Sequence, residues 1–380
     1  MYRNLIILTF CLLFACTEKP KEICFEEPEI ADSSVVYKEI FRATSFEKID
    51  SFFVNNHDRG QFNGTVLIAW KNTILYENAL GYSDLKNKEK LRLNYTFQLA
   101  SISKPLTAIA ILQLCRKEII NLKDPVEKYI GQFPYTGITI EMLLTHRSGL
   151  SNYMYFCDKP DTLWPDKYKT MRNDDAISIM NSIVPASYYP PDTKYDYNNT
   201  NYILLAKIVE IASNMSFEEY MEKHVFAAAN MKTARIYNRE NKSALVLPAK
   251  GYNSAGKEED DLYLNGCVGD KGVYGSAYDL FSLDSTLRTG GLLPKSWQEE
   301  AYAPRNESKD NRNYGYGWRI AEESNQGKIV FHTGWWKGFR TYFIRLIERE
   351  QLIVVLTNIK QGPFFGIEEL ASLLDELKIN

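Results

Sequence analysis

The segments of this chain that read as β-strands lie at its two ends with a helical pattern between them, and no other feature limits its fold as much. Near the start, Thr65-Val66-Leu67-Ile68-Ala69 and Thr73-Ile74-Leu75-Tyr76 flank Trp70-Lys71-Asn72, a spacer of hairpin length. Near the end, Ile329-Val330-Phe331-His332 is followed by Thr341-Tyr342-Phe343-Ile344-Arg345-Leu346 and Leu352-Ile353-Val354-Val355-Leu356-Thr357, the last two around the charged turn Glu348-Arg349-Glu350. From about Phe97 to Asp284 the pattern is mainly helical, with loops rich in Pro, Asn, Asp and Tyr. Hairpin-linked strands pair antiparallel without crossovers, so the expected fold is α+β: an antiparallel sheet flanked by helices, carrying a large, mainly helical lobe inserted within it. The sheet lobe takes about 45–96 and 285–380, the helical lobe about 97–284. A helix with Phe46, Ile49, Phe52 and Phe53 on one face, capped at Ser45, opens this unit, and a helix from Ile367 to Leu377 closes it.

Before this unit stands a different kind of segment. Met1-Tyr2-Arg3-Asn4 carries one positive charge and runs into ten mostly apolar residues, Leu5 to Phe14, too short to span a bilayer and typical of a signal peptide over 1–15. It ends in Leu13-Phe14-Ala15-Cys16, which resembles the lipobox of bacterial lipoproteins; Cys16 is the expected lipidation site, and 16–44, rich in Lys, Glu, Pro and Ser, is the expected tether. The expected location is the bacterial cell envelope, held to the membrane by this anchor. Cys24, Cys115, Cys157 and Cys267 are far apart in sequence, and their pairing stays open.

Composition excludes several functions. With 45 basic and 48 acidic side chains among 380 residues and no basic stripe, nothing draws a polyanion, so nucleic acid is not an expected partner. The four histidines, His57, His146, His224 and His332, show no metal-ligand spacing, so no metal or other cofactor is expected.

Three short motifs carry chemistry. Ser101 and Lys104 form S-x-x-K ahead of a long apolar helix, which puts both side chains on one face, with the lysine amine in reach of the serine hydroxyl proton. The same spacing recurs at Ser45/Lys48, Ser83/Lys86 and Ser254/Lys257, so alone it equally describes a helix N-cap with a solvated lysine. Tyr197 and Asn199 form Y-x-N in a polar loop entering another helix, where a phenol beside an ammonium serves as a proton shuttle and an amide orients a substrate carbonyl. His332-Thr333-Gly334, the only [K/H]-[T/S]-G in the chain, ends an apolar strand, followed by Trp335; a glycine there admits a ligand close to the backbone.

In this order, the three motifs make the chain resemble the serine β-lactamase and penicillin-binding protein superfamily, and within it the class C β-lactamase-like branch. Leu143-Leu144-Thr145-His146-Arg147-Ser148-Gly149-Leu150, the Gly-rich Gly269–Leu280 and Tyr314-Gly315-Tyr316-Gly317-Trp318 resemble further segments of that branch. The resemblance implies Ser101 as acylated nucleophile, Lys104 as its base and Tyr197 as acid/base on the leaving group and water. It implies Asn199, His332, Thr333, Gly334 and Trp335 around the substrate, the backbone N–H groups of Ser101 and Trp335 as oxyanion hole, and a structural rather than catalytic His146. The implied activity is a serine hydrolase acting on a small acyl or peptide substrate, with peptidase or esterase character; a true β-lactamase or D,D-carboxypeptidase is the alternative, and a non-catalytic sensor of cell-wall peptides is one of another class. His332 departs from the lysine usual in class C enzymes and removes a fixed charge that holds substrate carboxylates. Arg340 is a candidate replacement. Composition and motifs leave oligomeric state open.

Overall fold

The two terminal hairpins meet in one sheet. The structure, a computed structural model, describes residues 44–157, 164, 166, 168–237, 239–307, 312–323, 326–375 and 377. The expected signal segment, Cys16, the tether up to residue 43 and Cys24 lie outside the described residues.

Strands β1 (Gly64–Trp70) and β2 (Thr73–Leu80) form the first hairpin, with Lys71 at φ +54° in the turn that joins them. A small ribbon follows, β3 (Tyr82–Asp84) on β4 (Glu89–Lys90). In the helical lobe, β5 (Phe97–Gln98), β6 (Arg235–Ile236) and β7 (Val273–Gly275) make a three-stranded sheet in the order β5-β7-β6. The C-terminal strands are β8 (Arg312–Tyr314), β9 (Arg319–Glu323), β10 (Gly327–Trp336), β11 (Phe339–Leu346) and β12 (Gln351–Thr357). They join the first hairpin in one antiparallel sheet ordered β2-β1-β12-β11-β10-β9-β8, closed by β1 on β12 from Gly64↔Thr357 to Trp70↔Gln351.

Every residue of β11 and β12 is buried, because both faces of the sheet are covered. On one face Val66, Ile344, Ile353 and Val355 pack with Ile49 and Phe53 of α1 (Thr44–Asp58) and with Ile367 and Leu370 of the closing helix. On the other, Leu67, Phe343, Val354 and Leu356 belong to the large core shared with the helical lobe. That lobe is built on α2 (Ser103–Arg116), buried at every position from Ser103 to Cys115, which explains its nearly unbroken apolar sequence. Around it lie α3 (Ile140–Leu144), α4 (Tyr153–Cys157), α5 (Asn173–Ile183), α6 (Thr200–Ser213) and α7 (Phe217–Met221). They are followed by α8 (Ala277–Arg288), α9 (Lys295–Ala301) and the closing helix α10 (Ile367–Ser372).

The α+β architecture matches the expectation. Three details differ: the opening helix begins at Thr44, so Ser45 lies within it instead of capping it, the closing helix ends at Ser372 rather than Leu377, and the three short strands of the inserted lobe interrupt its helices. Cys115, Cys157 and Cys267 are buried, and Cys115 and Cys267 are free thiols. Among the described residues no helix is long and apolar enough to cross a membrane, and no cluster of metal-ligating side chains occurs.

Candidate active site

Ser101 sits in a 3₁₀ turn, Ala100–Ile102, that leads into α2. In a 3₁₀ turn residues i and i+3 eclipse, so Lys104 falls directly behind Ser101, with Nζ 3.0 Å from Oγ. Ala100, just before it, has φ +51°, a conformation costly for a residue with a Cβ, and its N–H donates to Gln98 Oε1 at 2.7 Å. Gly334 holds the turn in place: a Cβ there would meet Leu99 O and Thr341 Oγ1, each at 2.3 Å, while Thr341 Oγ1 donates to Leu99 O at 2.8 Å. The small size of Gly334 thus lets β10 dock on the serine turn, and that face is not open for a ligand to approach.

Lys104 is fully buried and its Nζ has two further acceptors, Asn199 Oδ1 at 2.8 Å and Asp270 O at 2.9 Å. Asn199 is fixed in turn, since its Nδ2 lies 3.3 Å from Met154 Sδ. Lys104 Nζ also stands 4.9 Å from the centre of the Tyr197 ring.

The loop carrying Tyr197 and Asn199 is woven into the segment around His146. Asp196 N–H donates to His146 O at 2.8 Å, and Asn198 N–H to His146 Nδ1 at 3.1 Å. Ser148 Oγ donates to Asn201 Oδ1 at 2.6 Å, which turns Asn201 Nδ2 toward His146 Nδ1 at 3.1 Å. With Nδ1 accepting, the imidazole proton sits on Nε2. His146 is buried with its ring 4.4 Å from that of Tyr197, so it shapes the floor beneath the phenol.

His332 is fully buried as well. Its Nδ1 lies 2.8 Å from Thr333 O, which has only lone pairs to offer, so Nδ1 carries the proton and Nε2 accepts from Tyr314 Oη at 3.2 Å. Burial first, then Arg319 and Lys104, hold His332 well below the ordinary histidine value; burial first, then the same two cations, does so for His146. Both rings are neutral when folded, and the sign of the resulting pH dependence follows. Unfolded histidines take up protons below about pH 6.5 while the folded ones do not, so stability is intact above that value and falls as pH drops through it. The slope steepens as pH falls toward a limit of about 3 kcal/mol per pH unit for the pair, reached well below pH 6.5, and His332→Gln is expected to remove about half of the loss of stability that urea denaturation reads between pH 7.5 and 5. An unchanged slope in that variant would mean that His332 is charged in the folded protein.

Sequence reading missed the positive charge of the site. Arg340 is not available for the role, because its Nη1 donates to Gly362 O at 2.6 Å and Pro363 O at 3.3 Å, and its Nη2 to Lys360 O. Arg319, immediately after the Y-G-Y-G-W segment, places its guanidinium 4.9 Å from the centre of the Tyr197 ring, and its Nε has no hydrogen-bond partner among the described residues. It opens β9, which pairs with β10 only as far as Phe331↔Arg319. From His332 to Trp336 that edge of β10 therefore has no strand partner among the described residues, and its backbone groups are not taken up by a neighbouring strand there. The side chain of Trp335 is 54% exposed and has the Phe364 ring as a neighbour, centres 6.5 Å apart.

The chain is similar to known proteins over most of its length. The Beta-lactamase family model matches residues 49–377. Penicillin-binding protein 4* of Bacillus subtilis is 35% identical over 326 residues, 82% of this chain and 71% of that protein. Among solved structures, a penicillin-binding protein from Bacillus halodurans superposes with a TM-score of 0.74 at 24% identity, over 88% of this chain and 99% of the other. A D-amino acid amidase from Ochrobactrum anthropi SV3 gives 0.75 at 18% identity with the same coverages, a likeness of fold. A family model spanning nearly the whole folded unit, together with a relative at 35% identity, establishes that this chain belongs to the β-lactamase family of serine hydrolases, within the superfamily that includes the penicillin-binding proteins.

Proposed function

We propose that this chain hydrolyses amide bonds of small peptides through an acyl-enzyme on Ser101. The observation that carries the reading is the fully buried Lys104, whose Nζ touches Ser101 Oγ, Asn199 Oδ1 and Asp270 O at 2.8–3.0 Å. A sensor that only bound peptides would gain nothing from burying an amine against a hydroxyl. In the reaction Ser101 Oγ attacks the carbonyl carbon while its proton passes to Lys104 Nζ, and the carbonyl oxygen draws on the N–H groups of Ser101 and Trp335. Tyr197 hands a proton to the leaving nitrogen, the C–N bond breaks, and the acyl group remains as an ester. Water then attacks the ester, Tyr197 takes its proton, and Ser101 regains its own. Labelling the wild type with a fluorophosphonate and mapping the adduct by mass spectrometry tests this; an adduct on any residue but Ser101, or none, overturns it.

Arg319 favours peptides over neutral esters, since it restores beside Tyr197 and Thr333 the charge that His332 does not supply. The leaving residue then ends in a free carboxylate. Arg319→Met is expected to lower kcat/KM on such peptides roughly 10- to 100-fold, the worth of a charge-assisted hydrogen bond, and on the matching C-terminal amides by less than about threefold. Equal losses on both would mean that Arg319 acts on Tyr197 and does not hold the carboxylate. The proposal also keeps the protein at the bacterial envelope by a lipid on Cys16, which Cys16→Ala would release into the soluble fraction.

A further inference from the structure

A cavity of about 220 Å³ opens beside the site, between the outer face of the sheet and the segment leading into α10. Thr333 and Arg319 line it together with four aromatic residues, Phe331, Tyr342, Phe364 and Phe365, and the polar Arg312 and Asn313 line it as well. Arg319 borders both places: it lines the cavity, and its guanidinium lies 4.9 Å from the centre of the Tyr197 ring, while Thr333 of the H-T-G segment lines the cavity beside it.

The walls are rigid. Phe331, Tyr342 and Phe365 are buried members of the core on the outer face of the sheet, and Phe365 N–H donates to Tyr342 Oη at 3.1 Å. Phe364 is 58% exposed, yet the Arg340 guanidinium stands 4.1 Å from its ring centre and clamps the carbonyls of residues 360, 362 and 363. Arg340, unavailable as a charge for the site, thereby fixes one wall of this cavity.

Tyr197 decides which part of the substrate this cavity meets. Its phenol protonates the leaving nitrogen, so the leaving residue lies on the Tyr197 side, where Arg319 stands. In an amino acid the carboxylate and the side chain share one carbon. A carboxylate held at Arg319 and Thr333 therefore puts the side chain beside the aromatic part of this lining. An apolar cavity of about 150 Å³ is enough to hold a benzene ring, so the volume here suffices for a full aromatic or branched aliphatic side chain laid against the aromatic part of the lining.

We propose that this cavity is the subsite for the side chain of the leaving residue, and that the enzyme releases C-terminal residues with large apolar side chains in preference to alanine. The inference rests on the acyl-enzyme reading above and deepens it. The test is a series of N-acylated peptides with a D-alanyl acyl residue and D-Ala, D-Val, D-Leu or D-Phe as the last residue, measured alongside fluorophosphonate labelling of the same preparation. The expected result is kcat/KM at least about tenfold higher for D-Phe than for D-Ala, the scale on which burying a large apolar side chain acts. Phe364→Ala, which removes an exposed wall, is expected to cut that ratio at least about fivefold, with a thermal melting point within a few degrees of wild type. A ratio at or below one in the wild type, or unchanged in the variant, overturns the subsite. Labelling of Ser101 with no cleavage of any peptide in the series also overturns it while leaving the nucleophile in place; absence of labelling overturns the acyl-enzyme reading itself.

Discussion

Ser101→Ala is expected to abolish fluorophosphonate labelling and to lower kcat/KM by at least about a thousandfold on every amide or ester the wild type cleaves. The size of the loss follows from how the neighbouring hydroxyls are engaged. Ser103 Oγ, two residues on, is fully buried and accepts from Val273 N–H at 3.2 Å, and Thr341 Oγ1 donates to Leu99 O. Neither lies against an amine, so neither can replace the missing nucleophile. The substitution leaves Lys104 with two of its three acceptors and removes no packing atom larger than an oxygen, so the melting temperature is expected to stay within a few degrees of wild type. Residual labelling above a few per cent would assign the nucleophile elsewhere.

How the site came to be legible, and where it was not, depends on which contacts are local in sequence. Ser101 and Lys104 are three residues apart, so their meeting is a matter of one helical turn. Tyr197 and Asn199 join them from 95 residues away at Asn199, and only the motif, not its spacing, gave notice of that. His332 was recognised as a departure from lysine, but its neutrality follows from burial and from the carbonyl it faces, which only the fold provides. Arg319 and Arg340 show the limit more sharply. Arg340 is nearer in sequence to His332, but it lies on β11 and its guanidinium turns to the loop at 360–363. Arg319 is farther, on β9, and the pairing Phe331↔Arg319 brings it to the end of the strand beside the site. The place of a charge was set by strand register, which a one-residue shift would reverse. The sheet itself was easier to read, because hairpins with alternating or fully apolar strands announce themselves; β5, β6 and β7 are two or three residues each, too short for a period of two to show.

Lys104→Met is the second large effect, with kcat/KM expected to fall by about a thousandfold and the rate of fluorophosphonate acylation to fall with it. The geometry allows the amine to act as a base without moving. Asn199 Oδ1 and Asp270 O take two N–H groups of Nζ, and the third tetrahedral direction points at Ser101 Oγ. In the ammonium form that direction carries a proton toward Oγ; in the amine form it carries the lone pair. One arrangement thus serves both stages of the proton transfer, and no reorganisation is needed between them. Methionine fills the same space but leaves Asn199 Oδ1 and Asp270 O without their donor, at a cost of about 1–3 kcal/mol for each buried acceptor, so a lower melting temperature is expected as well. Activity is therefore compared at a temperature where circular dichroism shows the variant folded. Lys104→Ala separates chemistry from support, because it leaves a space at the end of the pocket that a small primary amine can enter. Recovery of acylation with added ethylamine, rising with pH as the free-base fraction rises, is the result expected of a missing base. A folded Lys104→Met protein that acylates within tenfold of wild type would remove Lys104 from the proton path and leave it the task of holding Asn199 and Asp270 together.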